Sequence, residues 1–244
     1  MTALLHLKEV HTHIGAYHIL HGVNLEVQEG EVTMLLGRNG AGKTTTLRTI
    51  LGLWRASRGA LHFRGAPIGA LATPEIARLG IAYVPENMGI FADLTVKENL
   101  LLAARAAATA DALDKARLEW VLSLFAALKK FWLYPAGKLS GGQKQMLAIA
   151  RAIIEPRDLL LIDEPSKGLA PAMVQNLIAA FAELKRQRTT VLLVEQNFAM
   201  AKAIGDHVAV MDNGRIVHTG AMSDLADNEA LQQRLLGLSL GVHQ

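Results

Sequence analysis

The chain has 244 residues, 51% of them apolar and 19% charged, enough for one large domain, or a core with a subdomain, around a substantial hydrophobic centre. Its 25 basic and 22 acidic residues leave a formal charge of +3, too small and too dispersed to argue for nucleic acid as a partner. It has no cysteine, which excludes a disulfide framework and a thiolate metal site.

The N-terminal stretch Met1 to Lys8 lacks the basic start and apolar run of a secretory signal. No stretch approaches the roughly 18 uninterrupted apolar residues of a spanning helix. The expectation is a cytoplasmic protein whose membrane contact, if it has any, comes through a partner. Residues 4–36 read as short strands joined by turns. Leu5, Leu7 and Val10 lean towards alternation, and Val23 to Val27 alternates strictly. Ile14-Gly15-Ala16-Tyr17 reads as a loop, and the Tyr17 ring suits either core packing or stacking on a nucleotide base. Five of the nine histidines fall in this region. His11 and His13 share a strand face, yet without a nearby carboxylate they make a poor metal site.

The stretch Gly37-Arg38-Asn39-Gly40-Ala41-Gly42-Lys43-Thr44 fits the phosphate-binding pattern of Gly, four residues, then Gly-Lys-Ser/Thr. A buried strand, Val32 to Leu36, precedes it and a helix from Thr44 to Leu51 follows, which is the context the motif needs. Glycines let successive backbone N–H groups converge on phosphate oxygens. Lys43 adds a point charge, the Thr44 hydroxyl can hold Mg²⁺, and the helix aims its partial positive end at the nucleotide.

Leu61 to Gly65 reads as a strand and turn, Pro74 to Leu79 as a short helix with Pro in its first turn, and Ile81 to Val84 as a buried strand ended by Pro85. Residues 95–130 are helical by propensity, with a capping box at Thr95 and Glu98. Asp114 to Leu128 reads as one amphipathic helix whose apolar positions are Leu118, Val121, Leu122, Phe125 and Leu128. Leu139-Ser140-Gly141-Gly142-Gln143 opens a helix that Pro156 ends, and its glycines expose backbone amides to an anion. Leu159 to Ile162 is a continuous apolar strand, as in a parallel sheet, ending in Asp163-Glu164. Carboxylates at that place meet ligands in open α/β sheets: Asp163 to hold Mg²⁺, Glu164 to accept a proton from attacking water.

The last quarter repeats the α/β rhythm. A helix from Pro171 to Arg186 is followed by a strand from Thr190 to Val194, a helix near Phe198 to Ile204 and a strand from Val208 to Met211. An Asp212-Asn213-Gly214 turn then leads into Arg215 to Val217, and a final helix runs from Ser223 to Leu236, before Gly237.

Phosphate loop, Leu-Ser-Gly-Gly-Gln and four aliphatics ending in Asp-Glu, in this order, resemble the ATP-binding cassette ATPases over essentially the whole chain. The resemblance implies an α/β fold: a RecA-like phosphate-loop ATPase core with an antiparallel β edge, residues 1–88 and 156–244, and an inserted helical signature subdomain, residues 89–155. It implies head-to-tail dimers in which Gly37 to Thr45, Arg38 to Ala41 among them, face the partner's Ser140, Gly141, Gly142 and Gln143 across ATP. It gives Tyr17 the role of adenine-stacking aromatic.

Departures from the family pattern narrow the subfamily. Glu86 aligns where most members carry a Gln that touches Mg²⁺, Gln196 where most carry a His that holds the γ-phosphate, and Ala170 where most carry Asp. Val-Pro-Glu, Gly-Leu-Ala-Pro and Val-Glu-Gln-Asn look like the LivF-type ATPase of branched-chain amino acid importers. That likeness implies two membrane permeases, a second ATPase of the LivG type or a second copy of this chain, and an extracytoplasmic binding protein. It also implies a peripheral place on the cytoplasmic face of the inner membrane. Urea and amide importers are close rivals within the same cassette type. A soluble repair or translation ATPase fits less well, because those relatives need a long coiled coil or two cassettes in one chain. A GTPase would need an Asn-Lys-x-Asp motif, and none occurs.

Overall fold

In the computed structural model, which describes residues 3–104 and 113–237, two sheets stack around the phosphate loop. The first is antiparallel. Strands β1 (Ala3–Ile14) and β2 (Tyr17–Gln28) form a hairpin about Gly15 and Ala16, and β4 (Ala56–Phe63) and β5 (Ala66–Pro67) extend it in the order β2-β1-β4-β5. The second sheet runs β10-β9-β3-β8-β7-β6, built from β3 (Val32–Leu36), β6 (Ile81–Val84), β7 (Leu159–Asp163), β8 (Val191–Glu195), β9 (His207–Asp212) and β10 (Arg215–Ala221). All but β10 are parallel, and β10 returns antiparallel to β9 across Asn213-Gly214.

The central strands β3, β7 and β8 are buried at every position and mostly aliphatic because both of their faces are covered; Thr33 and the terminal Asp163 and Glu195 are the polar exceptions. Leu35, Leu161, Leu192 and Val194 pack towards the antiparallel sheet with Leu47 and Ile50 of α1 (Lys43–Ile50). Met34, Leu36, Leu160, Ile162 and Leu193 face the other way, onto α6 (Gly141–Ile153), α7 (Pro171–Arg186) and α8 (Phe198–Ile204). Each buried Leu or Ile contributes about 1.5–3 kcal/mol against exposure, so this doubly covered sheet is the stable floor on which the loops are set.

Among the described residues the remaining α-helices are α2 (Thr73–Arg78), α3 (Val96–Ala103), α4 (Lys115–Leu124), α5 (Ala126–Lys130), α9 (Met222–Ala226) and α10 (Glu229–Leu236). The capping box forms as expected: Thr95 Oγ1 accepts from Glu98 N at 3.1 Å, and Glu98 Oε2 accepts from Thr95 N at 2.7 Å. One turn on, the buried Asn99 side chain binds both Phe91 N and Phe91 O, at 3.0 and 2.9 Å, and so fixes the loop that enters α3.

Four expectations need correction. Residues 3–28 form two twelve-residue strands rather than several short ones, and Tyr17 opens β2, paired with Ile14, instead of lying in a loop. Its ring is 76% exposed, so core packing is ruled out for it. The helix expected from Asp114 to Leu128 is broken at Phe125, whose backbone leaves helical angles (φ −127°, ψ 63°). No Gly or Pro sits there. The break accompanies full burial of Val121, Phe125 and Leu128 together, a tertiary preference that outweighs propensity. The C-terminal helix is two, α9 and α10, because Asn228 starts a new one by accepting from Leu231 N at 2.9 Å. Of the helical stretch expected over residues 95–130, positions 105–112 lie outside the described residues.

Candidate active site

Parallel strands end on one edge, and that edge carries the site. β3 runs into the phosphate loop, β6 into Pro85-Glu86, β7 into Asp163-Glu164 and β8 into Glu195-Gln196. The register sets Leu36 beside Glu195 and Asp163 beside Val194, so the four loops emerge side by side.

The loop itself needs its glycines. Gly37 has φ 150°, and a Cβ there would come within 2.2 Å of Met211 O; Gly42 has φ 108° and would press on Leu20 and Met211. Only a residue without a Cβ lets the backbone pass this close to β9. Gly214 in the β9–β10 turn joins the same packing: its N–H donates to Ala41 O at 2.8 Å, and its C=O accepts from His21 N at 2.8 Å. The loop is thereby tied to both sheets.

Lys43 is 4% exposed; its Nζ donates to Gly37 O at 2.9 Å and Arg38 O at 3.0 Å and lies 3.4 Å from Glu164 Oε1. Thr44 Oγ1 donates to Asp163 Oδ1 at 3.1 Å, and Tyr83 OH donates to Asp163 Oδ2 at 3.4 Å. Burial pushes the Asp163 carboxyl above its ordinary value, with the charges of Glu164 and Glu86 adding to the rise. Burial, with the charge of Asp163, also pushes the Tyr83 phenol up to about 12, so Tyr83 stays a donor.

Glu164 is buried and holds φ 46°, a left-handed backbone that a non-glycine residue keeps only when its surroundings enforce it. Those surroundings are visible. Glu164 N donates to Val194 O at 2.9 Å, and Oε1 accepts from Gln196 Nε2 at 2.6 Å. The same Gln196 nitrogen donates to Asn39 Oδ1 at 2.7 Å, which joins the β8 loop to the phosphate loop. Glu86 Oε1 pairs with Lys167 Nζ at 2.5 Å and holds that ammonium above the ordinary lysine range. A cavity of about 350 Å³ opens among Ile19, Lys43, Thr44, Glu86, Glu164 and Lys167.

The structure therefore gathers Gly40, Gly42, Lys43, Thr44, Thr45, Asn39, Glu86 and Glu164 around one cavity, with Asp163 bonded to Thr44 and Gln196 to Glu164. Tyr17 is not among the residues lining this cavity, although Ile19, two residues along β2, is. Ser140, Gly141, Gly142 and Gln143 do not line it either. They begin α6 with a capping box, Ser140 N to Gln143 Oε1 at 2.9 Å and Gln143 N to Ser140 Oγ at 3.3 Å, and Ser140 and Gly141 are exposed.

Sequence reasoning missed Glu195. This buried carboxylate accepts from Ser166 N at 2.9 Å through Oε1 and from Gln196 N and Asn197 N at 2.9 and 3.0 Å through Oε2. It clamps the β7 and β8 loops together. The signal was present, since Glu195 follows four buried aliphatics just as Asp163 does. The expected Mg²⁺ donors are hydroxyl and carboxylate oxygens, hard ligands that fit this cation when phosphate oxygens complete its shell. Among the described residues no group of three His, Cys, Asp or Glu side chains is arranged to hold a metal alone.

A protein-family model for ABC transporters matches residues 20–167 of the chain. This chain belongs to the ABC transporter family. It is 39% identical over 96% of its length to the high-affinity branched-chain amino acid transport ATP-binding protein BraG of Pseudomonas aeruginosa, all of which is covered. It is 34% identical over 91% of its length to the probable branched-chain amino acid transport ATP-binding protein LivF of Archaeoglobus fulgidus, 93% of which is covered. Among solved structures, the dimeric structure of a bacterial ABC transporter cassette superposes with a TM-score of 0.79 at 25% identity, spanning 89% of this chain and 98% of that one. As an ABC cassette, the chain is an ATPase that binds ATP and couples its hydrolysis to transport in association with membrane subunits. No helix among the described residues is long and apolar enough to cross a membrane.

Proposed function

We propose that the chain is the LivF-type ATPase of an importer for branched-chain amino acids. It would act on the cytoplasmic face of the inner membrane with two permeases, an extracytoplasmic binding protein and a second cassette, either of the LivG type or a copy of itself. The likeness to BraG over the full length of that protein supports the cargo, and the convergence of Lys43 and Gln196 on Glu164 supports the chemistry. Residues 1–88 and 156–244 form the ATP-binding core and residues 89–155 the helical signature subdomain.

In this reading the loop amides of Gly37 to Thr45 and Lys43 Nζ bind the ATP phosphates, and Tyr17, exposed at the tip of the hairpin, stacks on the adenine. Thr44 and Asp163 hold Mg²⁺, which supplies positive charge against the phosphate oxygens. Glu86 stands second to them because Lys167 already engages it. Water attacks the γ-phosphorus, the bond to the ADP oxygen breaks, and the water's proton passes to Glu164. Gln196 keeps Glu164 aimed through its 2.6 Å hydrogen bond, a neutral donor in place of a charged one. Ser140 to Gln143, apart from the cavity and with Ser140 and Gly141 exposed, close the site of the partner cassette.

Deleting the gene in its native host and measuring uptake of radiolabelled leucine tests this reading. The parent gene restores uptake and Glu164→Gln does not. Unchanged leucine uptake in the deletion strain, with loss of urea or amide uptake instead, would transfer the cargo assignment to that rival.

A further inference from the structure

Three carboxylates meet at this site: Asp163, Glu164 and Glu86. Two ammonium groups oppose them, and they are differently placed. Lys43 is buried under the loop against Glu164 Oε1 at 3.4 Å. Lys167, three residues beyond Glu164, lines the cavity with its Nζ 2.5 Å from Glu86 Oε1 and 3.7 Å from Glu164 Oε2. Glu164 thus has a lysine on each of its oxygens, and Glu86 has Lys167.

The segment that carries Lys167 is anchored. Ser166 N donates to the buried Glu195, which also holds the backbone of Gln196 and Asn197, and Lys167 N donates to Glu164 O at 3.2 Å. An isolated exposed lysine–glutamate pair contributes little. This one differs because its carboxylate lines the cavity that takes a triphosphate. Without Lys167, Glu86 would present an uncompensated negative charge to a ligand that is itself strongly anionic.

We infer that Lys167 is a positioning residue of the ATP site: by pairing with Glu86 and flanking Glu164 it neutralises Glu86 towards the nucleotide and holds both carboxylates on the hydrolytic side of the cavity. The inference rests on the ATPase reading and adds to it a residue outside the phosphate loop, the Leu139 to Gln143 stretch and the Asp163-Glu164 pair. The role is electrostatic, so it belongs to the charge at 167 and depends on the charge at 86.

The test is a double-variant cycle on the full-length chain, reading Kd for a fluorescent ATP analogue and KM and kcat for ATP hydrolysis. Lys167→Met raises Kd and KM about tenfold, within the range for coupled neighbouring charges, with a smaller change in kcat. Lys167→Arg stays near the parent. Adding Glu86→Gln to Lys167→Met brings Kd back towards the parent, and the Lys167→Met defect shrinks as salt is raised towards about 1 M. Both side chains are about half exposed, so thermal unfolding of all variants should match the parent and separate a binding defect from a folding one. Parent-like Kd and KM in Lys167→Met, or a defect that Glu86→Gln leaves untouched, would overturn the inference while the ATPase reading stands. A parent chain that binds no ATP would overturn both.

Discussion

Lys43 and Glu164 face each other in a buried site, and the two variants that separate them should behave differently. Lys43→Ala removes the cation proposed to meet the phosphates and leaves a buried carboxylate short of a partner, a loss of about 3–5 kcal/mol when such a pair is broken. Nucleotide binding should become undetectable by titration with an ATP analogue, and the unfolding midpoint should fall. Glu164→Gln keeps the shape and the lysine's two carbonyl partners. Its ATP affinity should stay within a few-fold of the parent while hydrolysis falls about 100-fold or more. Hydrolysis at the parent rate would show that Glu164 is not the proton acceptor. Gly37→Ala should abolish ATP binding through geometry alone, because the new Cβ meets Met211 O. At this scale the sequence was informative where a motif forces a backbone, as in Gly37 to Thr44, or where a carboxylate follows buried aliphatics. It was silent about Lys167 and Tyr83, whose roles come from neighbours that are distant in the chain: Glu86 lies 81 residues from Lys167, and Asp163 lies 80 from Tyr83.

Elements begin and end where caps put them, and caps can be tested one at a time. Thr95→Ala should cost about 1 kcal/mol in chemical denaturation, since it removes the acceptor for Glu98 N at the start of α3. Hydrogen bonds from Thr95 N and Oγ1 hold the Glu98 carboxyl below its ordinary value of 4.5. A lowered folded value means that its contribution is fully present above the unfolded value and disappears as pH falls through the folded one. The difference in unfolding midpoint between the parent and Glu98→Gln should be constant above about pH 5 and vanish in stronger acid. Helix starts of this kind were legible: Thr95, Ser140 and Asn197 all accept from a backbone N–H three residues on. Asn228 carries the same signal and was overlooked inside a longer helical run. The break at Phe125 had no local signal. It answers to the packing of Val121, Phe125 and Leu128 into the helical side of the core, which the periodicity indicates as a face but not as a bend.

The whole cassette presents its signature outward, and that placement has a consequence for assembly. An added Cβ at Gly141 meets nothing within 4 Å, so Gly141→Ala should unfold at the parent temperature. If the exposed start of α6 completes a partner's site, the same variant should lose ATP-driven dimerisation and hydrolysis while keeping its own ATP affinity. Light scattering with ATP, beside a binding titration, separates the two. The layered architecture was readable from the chain because the buried parallel strands carry near-continuous aliphatic runs and Val23 to Val27 of the antiparallel sheet alternates. The packing of the hairpin against the phosphate loop through Gly214 was not, because it depends on a contact between chain segments almost two hundred residues apart.

The most direct measurement is a pull-down of the tagged chain from gently solubilised membranes of its native host. The account predicts that two multi-span permeases and a second cassette ATPase co-purify, and that the assembly hydrolyses ATP. Recovery of the chain from the soluble fraction alone, with no membrane partner, would contradict it.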